Sequence, residues 1–199
     1  MANNQKNISK GKILLLIALL GVGAFWGLGK IKQHNQIASL KAQISDLGKT
    51  VAKQHNNLPA ITGNYKQNYL LFLHKSGGLP SNLAYVNDAV SAAYNAKIKA
   101  YTDNFGVVIF EVSNIDKKAC VALATNNWGD LRSTRFAGFG IGVAPNFSCL
   151  AQNSCRFDYV TTFPGTPDYP FSEERAGYPC SLFEQEKQPA TVYLGYKLQ

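Results

Sequence analysis

From Ile13 to Gly29 the chain runs through 17 residues without a charge, and the pattern then changes to a helical period. Ile37, Leu40, Ile44, Leu47 and Val51 recur at spacings of 3, 4, 3 and 4, which puts one apolar seam on a helix. Lys41, Gln43, Asp46, Lys49 and Lys53 fall between them and read as the solvated face. At ~1.5 Å per residue the uncharged run covers roughly 25 Å, near the lower limit for crossing a bilayer core. Lys10 and Lys12 precede it, Lys30 and Lys32 follow it, and Phe25 and Trp26 lie where aromatic rings favour the membrane interface. The unit therefore predicts a membrane helix that continues as an amphipathic stalk. Two uses of the seam are open: packing on the chain's own domain, or contact between subunits. A signal peptide is the competing reading of the run, with small residues Val22, Gly23 and Ala24 at a cleavage position.

Beyond residue 56 the pattern changes again. Tyr65 to His74 carries apolar residues at helical spacing and stops at Ser76-Gly77-Gly78-Leu79-Pro80. Residues 87–100 are rich in small side chains and fit either a short helix or a strand. Phe105 to Val112 is apolar on both faces and predicts a central strand, followed by a turn at Asn114-Ile115-Asp116. Asp116 or a neighbour caps an expected helix from about Lys118 to Asn127. Extended segments are expected at Phe136–Val143, Arg156–Phe163 and Thr191–Leu198. The last alternates best, with Val192, Leu194, Tyr196 and Leu198 on one face. Pro164 to Phe183 contains four prolines and reads as an ordered irregular loop. Its Tyr169, Phe171 and Tyr178 either pack onto the sheet or form a contact surface.

Charge narrows the function. The chain carries a formal +8, but residues 1–56 hold eight Lys and one Asp, a net +7, which leaves +1 for residues 57–199. The basicity lies beside the apolar run, where anionic lipid and topology account for it. The head alone has no basic stripe of the kind that binds nucleic acid. All four cysteines, Cys120, Cys149, Cys155 and Cys180, lie in the head, and an even number beyond an export anchor points to disulfides. Three pairings are possible. Cys149 and Cys155 enclose five residues and close easily, which leaves Cys120 with Cys180. The spacing lacks the C-x-x-C pairs of a zinc site.

Catalysis has little to work with. His74 is the head's only histidine, beside an apolar stretch where a half-buried packing role is expected. No hydrolase, zincin or phosphate-loop motif occurs. Gly138, Gly140 and Gly142 alternate, but Pro145 rather than a helix start follows them. The chain is expected to be no enzyme and to need no cofactor, metal or small-molecule substrate.

The order of these elements resembles the type IV pilins and pilin-like proteins, above all the type IVb branch. A short basic leader, an apolar helix running into a stalk and a disulfide-bonded α/β head make up the shared plan. The segment Ser76-Gly-Gly-Leu-Pro-Ser-Asn-Leu83 is similar to the family's break after its second helical segment. Phe105 to Thr125, FGVVIFEVSNIDKKACVALAT, is similar to its strand, turn and C-x-x-L helix. The likeness covers about residues 10–130. It implies cleavage by a prepilin peptidase between Gly11 and Lys12, and assembly with other pilin-like subunits through the N-terminal helix. The family's mature chain has Glu as its fifth residue, where this chain has Leu16.

The expected fold class is α+β: a long N-terminal helix, membrane-spanning and then amphipathic, followed by a disulfide-bonded head with a mostly antiparallel sheet. Residues 1–12 form the basic leader, 13–29 the transmembrane helix, 30–56 the stalk and 57–199 the head. The expected role is a structural subunit, minor or specialised, of a type IV pilus or related secretion or conjugation filament. Its expected location is the bacterial inner membrane with a periplasmic head, and from there an extracellular filament. Two alternatives stand beside it. One is an inner-membrane scaffold of an envelope machine that dimerises through Ile37–Val51. The other is a secreted binding or adhesion domain released after Ala24.

Overall fold

The computed structural model describes residues 10–54, 68–102, 107–129, 134–142, 161–162 and 169–198; for residues 10–28 it describes the backbone course alone. Two units divide the chain, Met1–Gln36 and Ile37–Gln199. The first contains most of a single helix, α1 (Lys10–Gln54, 45 residues), whose last 18 residues belong to the second unit. The unit that holds the sheet thus begins at Ile37, inside the segment assigned from sequence to the stalk. Among the residues with described side chains, no helix is long and apolar enough to cross a membrane. The apolar run lies almost wholly outside them.

In the second unit the described strands form one antiparallel sheet of seven, in the order β1-β2-β3-β4-β7-β5-β6. These are β1 (Ala84–Val86), β2 (Ala89–Ser91), β3 (Lys97–Thr102), β4 (Val107–Ile115), β5 (Thr134–Ile141), β6 (Thr161–Thr162) and β7 (Ala190–Leu198). Residues 87–100, open between helix and strand in the sequence, fold as a hairpin and a third strand. Asn87 and Asp88 take left-handed conformations (φ 50° and 60°), which supply the turn twist that a two-residue hairpin needs. β4 runs on through Ile115 instead of turning at Asn114. Asn114 (φ 62°) anchors its side-chain nitrogen to the Asn95 carbonyl at 2.7 Å, and the register with β7 shifts between Val112 and Ile115.

β7 pairs with β4 on one side and β5 on the other. Phe110 faces Leu194 across the first ladder, and Phe136 faces Tyr196 across the second. Val192, Leu194 and Tyr196 are buried on one face, as their alternation predicts. Gly138 and Gly140 oppose Gly195 and Tyr193 in register. The glycine alternation is therefore a strand pattern and not a phosphate loop.

Four described α-helices accompany the sheet: α1, α2 (Tyr69–Lys75), α3 (Lys117–Ala124) and α4 (Glu173–Gln185). Asn68 caps α2 by accepting the Leu71 N–H at 3.0 Å, and Asp116 caps α3 by accepting the Ala119 N–H at 2.8 Å. α2 ends where Gly77 adopts φ 69°, which is the stop that Ser76-Gly77-Gly78 announces. Helix α4 is a correction. Its residues read as an irregular proline-rich loop, yet Ser172 caps the helix by accepting the Arg175 N–H, and Glu173 and Glu174 sit in the favourable first turn. Pro179 lies inside this helix and removes one internal hydrogen bond. It is buried together with Ala176 and Cys180, so the apolar face offsets that loss.

Candidate functional site

The seam of α1 lies in the core of its own unit. Leu40, Ile44 and Leu47 have no exposed surface, Val51 is 1% exposed and Ile37 6%. They share one cluster with Leu70, Phe110, Leu123 and Tyr196, and each contributes about 1.5–3 kcal/mol of burial. This corrects the assembly-seam reading. Side chains already covered by their own domain offer a second subunit no surface, so the intramolecular use is the one the structure shows. Gln43, placed on the solvated face from the sequence, is also buried. Its Oε1 accepts the Ala93 N–H at 2.7 Å, and its Nε2 donates to the Asn82 carbonyl at 3.5 Å. Lys49 and Asp46 do lie outside, paired at 3.1 Å.

Cys120 on α3 and Cys180 on α4 form a disulfide across 60 residues, with Cα atoms 5.9 Å apart and both residues fully buried. Cys149 and Cys155 lie outside the described residues. Lys117 and Glu184 add an exposed ion pair at 3.5 Å between the same two helices. Gly11 and Lys12, the expected cleavage position, lie in the first turn of α1.

Of the three aromatic residues that the sequence left between packing on the sheet and forming a contact surface, two are built into the fold. The Tyr169 hydroxyl accepts the Trp128 backbone N–H at 2.8 Å, and its ring lies 5.1 Å from that of Phe136. Phe171 is 2% exposed, stands edge-on to Phe139 and carries the Arg175 guanidinium over its ring. Only Tyr178 faces outward, 66% exposed, with Leu182 one helical turn further on at 37%. Beside Tyr178 lies a shallow cleft of about 610 Å³, lined by Ser172, Glu174, Arg175, Tyr178 and Pro179. The sequence carried a signal for this surface in the capping run Ser172-Glu173-Glu174, which the proline content obscured.

A second cleft, of about 640 Å³, lies among α1, α3 and α4. Lys41, Lys117 and Lys118 face Asp116, Glu173 and Glu184 there, so it concentrates neither sign of charge. Burial lowers the Lys41 pKa from its ordinary value. On the sheet face away from the main core, Tyr101 and Tyr193 pack on a small cluster of Val107, Ile109 and Ala137. Burial pushes the Tyr101 phenol up to about 12, with the Glu111 carboxylate and Tyr193 adding to the shift. His74 is exposed rather than half-buried, and its ring stacks on Tyr85 at 5.0 Å.

Together these features define the class of the described part: an α+β domain with an antiparallel sheet, one helix of which is the end of a much longer one, and a disulfide between two others. No family model, curated protein or solved structure matches the chain.

Proposed function

We propose that this chain is a structural subunit of a type IV pilus or a related secretion or conjugation filament, of the minor or specialised kind. The observation that carries the reading is α1. It is one helix of 45 residues, with Ile37 to Val51 built into the head core and an uncharged run at 13–29 in its earlier part. A helix of this kind is held in the inner membrane by its apolar part and pairs with the same part of other subunits in a filament. With the seam 37–51 occupied by the head, subunit pairing falls to the run 13–29 and the residues next to it. A disulfide between α3 and α4 fits a head outside the reducing cytoplasm. The partners of this reading are other pilin-like subunits, the inner membrane and a prepilin peptidase acting between Gly11 and Lys12. The role is structural and uses no cofactor.

The direct test is to shear filaments from cells and probe them for the chain, with the mass of its N-terminus measured in the same fraction. Recovery in filaments with Lys12 as first residue supports the proposal. Recovery only in the membrane fraction overturns it.

Leu16 favours a second reading. The Glu that pilins carry there neutralises a neighbour's N-terminal amine, and a leucine has no charge to do so. An inner-membrane scaffold subunit of an envelope machine needs no such group, and an intact Met1 would support it. Its proposed dimerisation helix is no longer Ile37–Val51, because those residues are buried in the head. A start at Phe25 would instead mark a secreted binding or adhesion domain.

A further inference from the structure

We infer that the outer face of α4 is a docking patch for a second copy of this chain, and that the segment of that copy around Ile31 is what it receives. The inference rests on the assembly reading above for bringing copies together.

The large hydrophobic residues exposed among the described residues are Ile31 (59%), Val86 (52%), Tyr178 (66%) and Leu182 (37%). Tyr178 and Leu182 stand one turn apart on α4 and form a single apolar stripe. Glu174 lies one turn before Tyr178 on the same face, and Tyr178 and Glu174 both line the cleft of about 610 Å³. Residues 173–186 carry Glu173, Glu174, Glu184 and Glu186 against one base, Arg175, a net −3. The stripe is thus an apolar strip on an acidic helix.

A fitting occupant has an exposed apolar side chain among bases. Val86 does not qualify, because Asp88 follows it in the hairpin turn. Ile31 does. It lies between Lys30 and Lys32, all three are exposed, and the chain contains no acid before Asp46. Ile31 on Tyr178 and Leu182, with the lysines near Glu174, matches apolar with apolar and base with acid. The two surfaces differ, so the contact is heterologous and repeats from copy to copy instead of closing on itself. A patch of this size is far below what holds two free proteins together. It acts where another element, here the apolar run, already concentrates the copies.

The test uses the full-length chain in its native membrane, with Ile31→Cys and Tyr178→Cys and a short bismaleimide. The double variant is expected to give a ladder of dimers and higher species. Mixing the two single variants should give one heterodimer, and either alone should give less than a tenth of that yield. Glu174→Lys should lower the heterodimer at least fivefold, and Lys30→Glu with Lys32→Glu on the partner should restore it. No cross-link between the two positions, equal cross-linking of Tyr178→Cys to itself, or failure of the charge swap to restore the yield overturns the inference. Sheared filaments that contain the chain without the cross-link overturn the docking patch and leave the filament reading intact. A cross-link found only in the membrane fraction keeps the patch and overturns the filament reading.

Discussion

The backbone N–H of Ala93 donates to Oε1 of Gln43 at 2.7 Å, across 50 residues of sequence. With the Asn82 carbonyl on its other end, this amide fixes α1 against the chain on both sides of the β1–β2 hairpin. Replacing Gln43 with Ala leaves a partly buried donor and acceptor without partners, a loss of about 1–3 kcal/mol. Gln43→Glu keeps the acceptor for Ala93 but turns a second acceptor oxygen on the Asn82 carbonyl, so it is expected to destabilise at neutral pH as well. Urea unfolding with an unchanged m value is the measurement, and Asp46→Ala, at an exposed ion pair, should stay within about 0.5 kcal/mol.

The Cys120–Cys180 bond closes a loop across a separation of 60 residues. In the loop-entropy account such a link stabilises by about 4 kcal/mol. Cys120→Ala with Cys180→Ala is therefore expected to lower stability by a similar amount. Denaturant curves for the oxidised protein and the double variant give the difference directly. A loss below about 1 kcal/mol would show that α3 and α4 hold together by packing alone.

Phe171 and Tyr178 lie seven residues apart with opposite roles. Phe171→Ala removes a buried ring packed on Phe139 and is expected to cost about 3–5 kcal/mol. Tyr178→Ala removes an exposed ring and should change the stability of the head by less than about 0.5 kcal/mol. Thermal melts of both variants test the contrast. A destabilised Tyr178→Ala would mean that the ring is covered within the monomer.

Alkaline pH tests the second sheet face. The Tyr101 phenol titrates near 12 in the folded protein, above its ordinary 10, because burial and Glu111 disfavour the anion. Between those values the unfolded chain has released its proton and the folded one has not, so stability falls as pH rises through that window. Below pH 10 both states are protonated and the contribution is fully present. Burial also raises the phenols of Tyr69 and Tyr193, so the same direction is expected from them. Absorbance titration should show a phenolate step near pH 12 that disappears in Tyr101→Phe.

What the sequence revealed followed the strength of its local periods. β7 could be read because every second residue faces the core, and α3 because Asp116 precedes a compact apolar helix. The seam of α1 was visible, but periodicity reports that a face is apolar and not which partner covers it. Gln43 was misplaced for a related reason: a side chain at the margin of a seam is buried when a tertiary hydrogen bond draws it in. Helix α4 was missed because Pro179 and Gly177 outweighed the cap at Ser172, while the buried apolar face around Cys180 overrode both. The candidate site was legible only as three aromatic residues, and which one remains outside depended on contacts with Trp128, Phe136 and Phe139.

The place of β7 imposes an order of events on the making of this protein. β1 to β4 form one block and β5 with β6 another, and their described ladders meet only through β7, which every ribosome makes after them. Until residues 190–198 emerge, the inner edges of β4 and β5 have no strand between them, and Phe110 and Phe136 lack the Tyr196 ring that packs against both. Closing the sheet between β4 and β5 therefore waits for pairings that are distant in sequence, and such pairings form slowly. A chain cut short before residue 190 would carry two unfinished edges, open to pairing with other strands.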